Sequence, residues 1–317
     1  MLHRIALSVI VTVAFGAAVP AAGVSLPVIP DGVTVSGVPV GGMISVAAER
    51  QVAMRFGRPV RLFHGDRTWA VRPSRLGASA AIKDAVREAL AAKPKARVRL
   101  RIDVRRSAVS RFVARLNRRV DVPATDSKLV GLSNLAPAFT KARPGRTLDQ
   151  PTMVRWITRS LRSTWRDAQL ELQFLSVAPK VTPADYGPII VIKRGSNELN
   201  LYDGPKLART FGVATGQNKY PTPLGAFEIV VMERNPTWNP PDSEWAKDAE
   251  PIPPGPGNPL GTRWMGISSP AVGIHGTPDA ASIGYSVSHG CIRMKIPEAE
   301  WLFEHVDVGT PVYIVSA

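Results

Sequence analysis

The feature that most limits how this chain can fold is a break in its residue pattern around residues 181–187. There Pro179, Pro183, Asp185 and Gly187 interrupt every run of regular spacing. Upstream of the break, helical and strand spacings alternate; downstream, strand spacing takes over. With 317 residues the chain can bury more than one core, since single cores stop growing at roughly 250–300 residues. Two domains are therefore expected, one over residues 32–180 and one over 187–317, with a linker between them.

The first domain reads as α+β. After Ser79 as N-cap, Ile82, Ala85, Val86, Ala89 and Leu90 share one face of a helix that Pro94 stops. Val98, Leu100, Ile102 and Val104 then alternate with charged residues as in a strand with one buried face. Further helices are expected around Val109, Phe112, Val113 and Leu116 and around Val154, Ile157 and Leu161. A strand through Leu170, Leu172 and Phe174 closes the unit. The second domain reads as β-rich: runs at 189–193, 198–202, 206–214 and 226–232 are separated by turn residues such as Asn197 and Asp203-Gly204, as in an antiparallel meander. Pro297 opens a short helix near the C-terminus, and Val312 to Val315 supplies a last strand. Between Asn235 and Gly261 lie eight prolines and three glycines, with Trp238 and Trp245, so a long loop flanking a site is expected there.

Residues 1–23 have the layout of a signal peptide: His3 and Arg4, an apolar stretch from Ile5 to Val19, then Ala21, Ala22 and Gly23. The apolar run is shorter than the roughly 20 residues of a spanning helix, although its flanks bring it near that length. Export to a cell wall or periplasm-like space is expected, with membrane anchoring if the segment is retained. Apolar residues make up 44% of the chain and mean hydropathy is near zero, which excludes a polytopic membrane protein and a disordered one. Charge is uneven: residues 1–187 hold 30 Lys and Arg against 12 Asp and Glu, whereas residues 188–317 hold 10 against 13. The basic half suits a polyanion, and outside a cell that means anionic wall polymers or lipid, with no nucleic acid as partner. A well-solvated arginine-rich surface explains the same count.

Cys291 is the one cysteine, so no internal disulfide exists, and an exported lone cysteine is inert, paired with another chain, or kept for its chemistry. Its surroundings favour chemistry. The segment runs Gly273-Ile-His-Gly-Thr-Pro-Asp and then Ser288-His-Gly-Cys-Ile-Arg-Met. A thiol attacks as thiolate and needs a base or cation within reach, which histidine supplies near neutral pH. His289, two residues before Cys291, shares its face in extended chain, and His275 can reach it from a neighbouring strand. Gly276 and Gly290 allow close backbone approach, and the N–H groups of Gly290 and Cys291 can form an oxyanion hole. Three zinc ligands is the competing reading, but the spacing matches no common zinc pattern and lacks a fourth ligand, so no metal or cofactor is expected.

Two stretches resemble known families. Gly37-Val-Pro-Val-Gly-Gly-Met-Ile-Ser, Arg72-Pro-Ser-Arg-Leu-Gly and Pro144-Gly-Arg-Thr-Leu-Asp resemble a peptidoglycan-binding domain that often precedes wall-modifying enzymes, so residues 32–180 are expected to bind peptidoglycan or to serve as a spacer. Pro221-Thr-Pro-Leu-Gly-Ala-Phe, Gly257-Asn-Pro-Leu-Gly-Thr-Arg-Trp-Met-Gly-Ile and Ser288-His-Gly-Cys-Ile-Arg-Met resemble the L,D-transpeptidase (YkuD-type) catalytic domain. This second resemblance implies a cysteine acyltransferase acting on peptidoglycan stem peptides. Cys291 would attack the carbonyl of the third stem residue, a diamino acid, expel D-Ala, and pass the acyl group to a neighbouring stem's amine in a 3–3 cross-link. With water as acceptor the same acyl-enzyme gives an L,D-carboxypeptidase. The resemblance makes His275 the base, oriented by the Gly276 carbonyl, and sets His289 on the oxyanion side with Gly290. Arg293 then holds a substrate carboxylate or the loop itself. Substrate binding is expected of Arg293, Ser288, Trp264 and Tyr220, and carbapenem-type inhibitors are expected to acylate the thiol.

Overall fold

The computed structural model describes residues 26–166 and 169–317; the signal-like segment 1–23 lies outside them. The described residues form two compact units. One comprises residues up to Arg118 together with Asp149–Gln173, the other Arg119–Leu148 together with Phe174–Ala317. The division therefore differs from a single cut near residue 180.

The first unit is α+β, with helices α1 (Ser45–Phe56), α2 (Ile82–Leu90), α3 (Arg106–Val120, whose last two residues belong to the second unit) and α4 (Gln150–Leu161). Helix α2 buries Ala85, Val86 and Ala89, as the spacing requires. Its N-cap is Ala81, not Ser79, because Ser79 pairs with Asp103 in a short two-stranded ladder. The expected strand from Val98 to Val104 is two pieces, Arg97–Val98 and Ile102–Val104. Between them the Leu100 N–H leaves the ladder to donate to Ser36 Oγ at 2.8 Å. Helix α4 starts at Asp149, whose carboxylate accepts from the Thr152 N–H. The buried Arg166 guanidinium donates to the carbonyls of Phe56, Arg58, Ser160 and Leu161, satisfying the C-terminal ends of α1 and α4 at once.

The second unit is built on an eight-stranded sheet. Its strands are β1 (Pro188–Lys193), β2 (Glu198–Asp203), β3 (Lys206–Gly212), β4 (Gly225–Arg234), β5 (Arg263–Ile267), β6 (Gly273–Thr277), β7 (Ile292–Lys295) and β8 (Pro311–Val315). Their order is β3-β2-β1-β8-β4-β5-β6-β7. The meander holds for β1 to β3, but the C-terminal strand β8 inserts between β1 and β4, parallel to β1. Strands β6 and β7 are also parallel, so the sheet is mixed.

Strand alternation decides which face is the core. Met265, Ile267, Ile274, Ile292 and Met294 point to one side, where Ala299, Leu302 and Phe303 of helix α5 (Ile296–Phe303) cover them. Each such side chain contributes roughly 1.5–3 kcal/mol on full burial. Strand β1 reads as a continuous apolar run because both its faces are covered: Ile190 and Ile192 join that core, while Ile189 and Val191 face the other way. Their cover is the hairpin Leu129–Ser133 and Ala136–Phe139, which explains why residues 119–148 belong to this unit. The expected linker is packed too, since the Tyr186 hydroxyl donates to the Ser127 carbonyl at 3.0 Å and Ser127 N–H donates to the Val181 carbonyl at 2.8 Å. Similarly, the expected strand 170–174 is split: Leu170–Glu171 pairs with Val60–His64 in the first unit, and Phe174–Val177 with Gly145–Leu148 in the second.

Candidate active site

The face of β4 to β7 opposite the α5-covered core presents the polar positions of those strands. Between Ile274 and Gly276, His275 projects to this face, and Arg293 stands directly opposite it on β7. Cys291, just ahead of β7, precedes Arg293 by two residues and so shares its side. Cys291, His275, His289, Arg293, Trp264 and Tyr220 line one cavity of about 800 Å³, together with residues of the 235–261 loop. Sequence reasoning therefore named residues that the fold brings together, and the loop flanks them as expected.

His275 is 4% exposed, and its Nδ1 lies 2.6 Å from the Gly276 carbonyl oxygen. A carbonyl only accepts, so Nδ1 carries the hydrogen and Nε2 keeps its lone pair, the tautomer a general base requires. Burial holds the imidazole pKa down to about 4; the Gly276 carbonyl raises it, the positive charge of Arg293 lowers it further, and the Pro259 carbonyl raises it slightly. Burial likewise pushes the Cys291 thiol up, against smaller downward pulls from the Gly273 backbone and Arg293. Both shifts favour the uncharged forms, thiol and imidazole. The thiol donates to the Ala271 carbonyl at 3.6 Å.

The loop holding Cys291 is tied by Ser288. This residue is 1% exposed; its hydroxyl donates to the Cys291 carbonyl at 2.6 Å and accepts from the Gly290 N–H at 3.2 Å. These two bonds fix the turn that carries Cys291, and Ser288 also lines the cavity. Gly290 has φ +111°, a conformation that disfavours any side chain. Its N–H is committed to Ser288, so of the two expected oxyanion donors only the Cys291 N–H is uncommitted among the described residues. His289 is exposed and stacks on Trp245 at 4.1 Å between ring centroids, with Tyr220 at 4.9 Å on another side. Burial by these rings, then the charges of Arg293 and Lys219, lower its pKa. Arg293 lies 3.8 Å from Asp279, and its main chain exchanges two hydrogen bonds with Ala214. Its positive charge acts on both the Cys291 thiol and the His275 imidazole, and its ion pair with Asp279 is a loose one.

The L,D-transpeptidase catalytic domain (YkuD) profile matches residues 187–314, and that of the "Putative peptidoglycan binding domain" matches residues 69–164. "Putative L,D-transpeptidase YqjB" of Bacillus subtilis (strain 168) is 35% identical over 139 residues, which cover 42% of this chain and 74% of that protein. The chain belongs to the L,D-transpeptidase family. "Putative L,D-transpeptidase in ATP synthase subunits region ORF 5" of Fuscovulum blasticum is 44% identical over 96 residues, covering 30% of this chain and 51% of that protein, so this chain spans about half its length. Among solved structures, the catalytic domain of the E. faecium L,D-transpeptidase is 26% identical, with 40% of this chain and 96% of that chain covered at a TM-score of 0.34.

Two residues of this L,D-transpeptidase site escaped the sequence reading. Asn258, 1% exposed, donates to the carbonyls of Pro236, Ile252 and Pro253 and accepts from the Leu260 N–H, pinning the base of the 235–261 loop. Its place within Gly257-Asn-Pro-Leu-Gly was the available signal. Trp245 was visible as a tryptophan in a proline-rich loop, but nothing local tells that it stacks on His289.

Proposed function

We propose that this chain is an exported L,D-transpeptidase that forms a Cys291 thioester with a peptidoglycan tetrapeptide stem, releases D-Ala and makes 3–3 cross-links at the cell wall. The observation that carries this reading is the contact of His275 Nδ1 with the Gly276 carbonyl, which puts the hydrogen on Nδ1 and the lone pair on Nε2, in the same cavity as the thiol. Nε2 takes the thiol proton as sulfur attacks the carbonyl carbon of the third stem residue. The resulting oxyanion accepts from the Cys291 N–H, and its negative charge develops near Arg293. Collapse breaks the bond to the D-Ala nitrogen, which leaves with the proton from the imidazolium. The side-chain amine of a second stem then adds to the thioester while His275 takes its proton, and expulsion of the thiol completes the new amide. Starting from a neutral pair, the enzyme creates the thiolate only as the substrate carbonyl arrives.

Family membership in two wall-associated domains supports action at the cell wall. No helix among the described residues is long and apolar enough to cross a membrane, and the signal-like segment would supply export or anchoring. The basic residues 1–187 supply a salt-sensitive hold on anionic wall polymers. The deciding experiment incubates the protein with a defined tetrapeptide and an amine acceptor and resolves products by mass. Cross-linked dimer plus free D-Ala is expected. Tripeptide alone at every acceptor concentration would instead make the protein an L,D-carboxypeptidase.

A further inference from the structure

Four side chains on the site face stand in one row across the sheet. The register pairs Glu233 of β4 with Trp264 of β5, Trp264 with His275 of β6, and His275 with Arg293 of β7. Side chains at paired positions project from the same face, and all four line the cavity that holds Cys291. A second row, two residues away, runs through Val231, Gly266 and Gly273 and ends beside Cys291. A Cβ at Gly266 would come within 2.9 Å of the Trp264 Nε1, and one at Gly273 would run into the six-membered ring of the same indole. The indole therefore lies across the second row. It makes a flat apolar floor between the Glu233 end of the cavity and the thiol.

The ends of this floor differ in charge. At the thiol end stand Arg293 and the base; at the other the Glu233 carboxylate has no hydrogen-bond or ion-pair partner among the described residues. Three strand spacings of ~4.8 Å and a two-residue offset separate the Cα atoms of Glu233 and Cys291 by about 16 Å. The two side chains stand roughly perpendicular to the sheet, so only their lean shortens this, and a gap on the order of 11–14 Å remains between carboxylate and sulfur. A carbonyl carbon bonded to sulfur, followed by an extended aliphatic side chain ending in an ammonium hydrogen-bonded to the carboxylate, spans roughly that distance.

We propose that Glu233 is the residue that selects a diamino acid as the acylating residue. The side-chain ammonium pairs with Glu233, the methylenes lie on Trp264, and the carbonyl carbon is held at Cys291. Arg293 repels the ammonium from the opposite end and so fixes the direction in which the side chain lies. Asp242 also lines the cavity and adds to its negative potential. This assignment rests on the acyl-enzyme reading above, with Cys291 attacking the third stem residue.

The test measures D-Ala release from two tetrapeptides that differ only at the third residue, lysine or norleucine, the second having no side-chain amine. Glu233 is exposed at its end of the cavity, so the wild type should prefer lysine in kcat/KM by about fivefold, as a solvent-accessible ammonium–carboxylate contact implies. In Glu233→Gln the preference should disappear, mainly through a higher KM for the lysine peptide, and in Glu233→Lys it should reverse. Equal use of both peptides by the wild type, or a preference that survives both substitutions, would overturn the assignment of Glu233. Release from neither peptide by the wild type would overturn the acyl-enzyme reading itself, and this inference with it.

Discussion

Buried His275 couples the stability of the catalytic unit to pH. Its folded pKa is about 4, against about 6.5 for an unperturbed histidine, because burial penalises the imidazolium more than the Gly276 and Pro259 carbonyls favour it. Between these values the unfolded chain binds a proton that the folded chain refuses. Stability therefore falls as pH drops from about 6.5 and stops falling, for this group, near pH 4. A difference of 2.5 pH units corresponds to about 3 kcal/mol at pH 4 and about 1 kcal/mol at pH 5.5. Urea unfolding at pH 7.0, 5.5 and 4.0, compared between wild type and His275→Gln, isolates this share. Asp149, Asp185 and Glu304 have lowered pKa values and lose stability in the same direction, yet they are common to both proteins and cancel in the difference. The wild type should lose about 3 kcal/mol more than the variant between pH 7 and 4. Parallel stability curves would refute the burial of a neutral imidazole.

Other consequences can be checked separately. Arg293→Gln removes a positive charge from the thiol, so the pH midpoint for iodoacetamide alkylation of Cys291 should move upward; an unchanged or lower midpoint would contradict the electrostatic role given to Arg293. Arg166→Ala should cost at least ~3 kcal/mol in chemical denaturation, because it strands four carbonyl acceptors at two helix ends, and Arg166→Lys should recover little of that. A fragment of residues 187–317 alone should bind a hydrophobic dye and melt below the full chain, since it uncovers Ile189, Val191 and Tyr202; a fragment as stable as the parent would show that the 129–139 hairpin is dispensable. Gly290→Ala should lower D-Ala release by at least about tenfold, as the positive-φ turn ahead of Cys291 resists a side chain at a cost of roughly 1–3 kcal/mol.

Local patterns made part of this fold legible. The spacing of Ala85, Val86 and Ala89 marked helix α2, and the apolar run at 189–193 marked a strand, because each depends on neighbours in sequence. Ser79 was misleading as a cap: its backbone is used by a ladder to Asp103, a partner 24 positions away that no local signal announces. The insertion of β8 beside β1 and the docking of the 129–139 hairpin are invisible for the same reason. In the site, the cysteine, both histidines and the glycines stood out through residue type and motif. What they could not reveal was that Ser288 spends its hydroxyl on the loop, or that Gly266 and Gly273 are small to admit the Trp264 indole. The first depends on the exact turn the loop adopts, and the second on cross-strand register.

The most direct test of the central claim is intact-protein and peptide mass analysis after brief exposure to a tetrapeptide stem, and in parallel to a carbapenem. A tripeptide acyl group and a carbapenem adduct, each on the peptide containing Cys291 and each missing from Cys291→Ala, are the predicted result. No adduct on the wild type, or an equal adduct on Cys291→Ala, would contradict the assignment of Cys291 as the nucleophile.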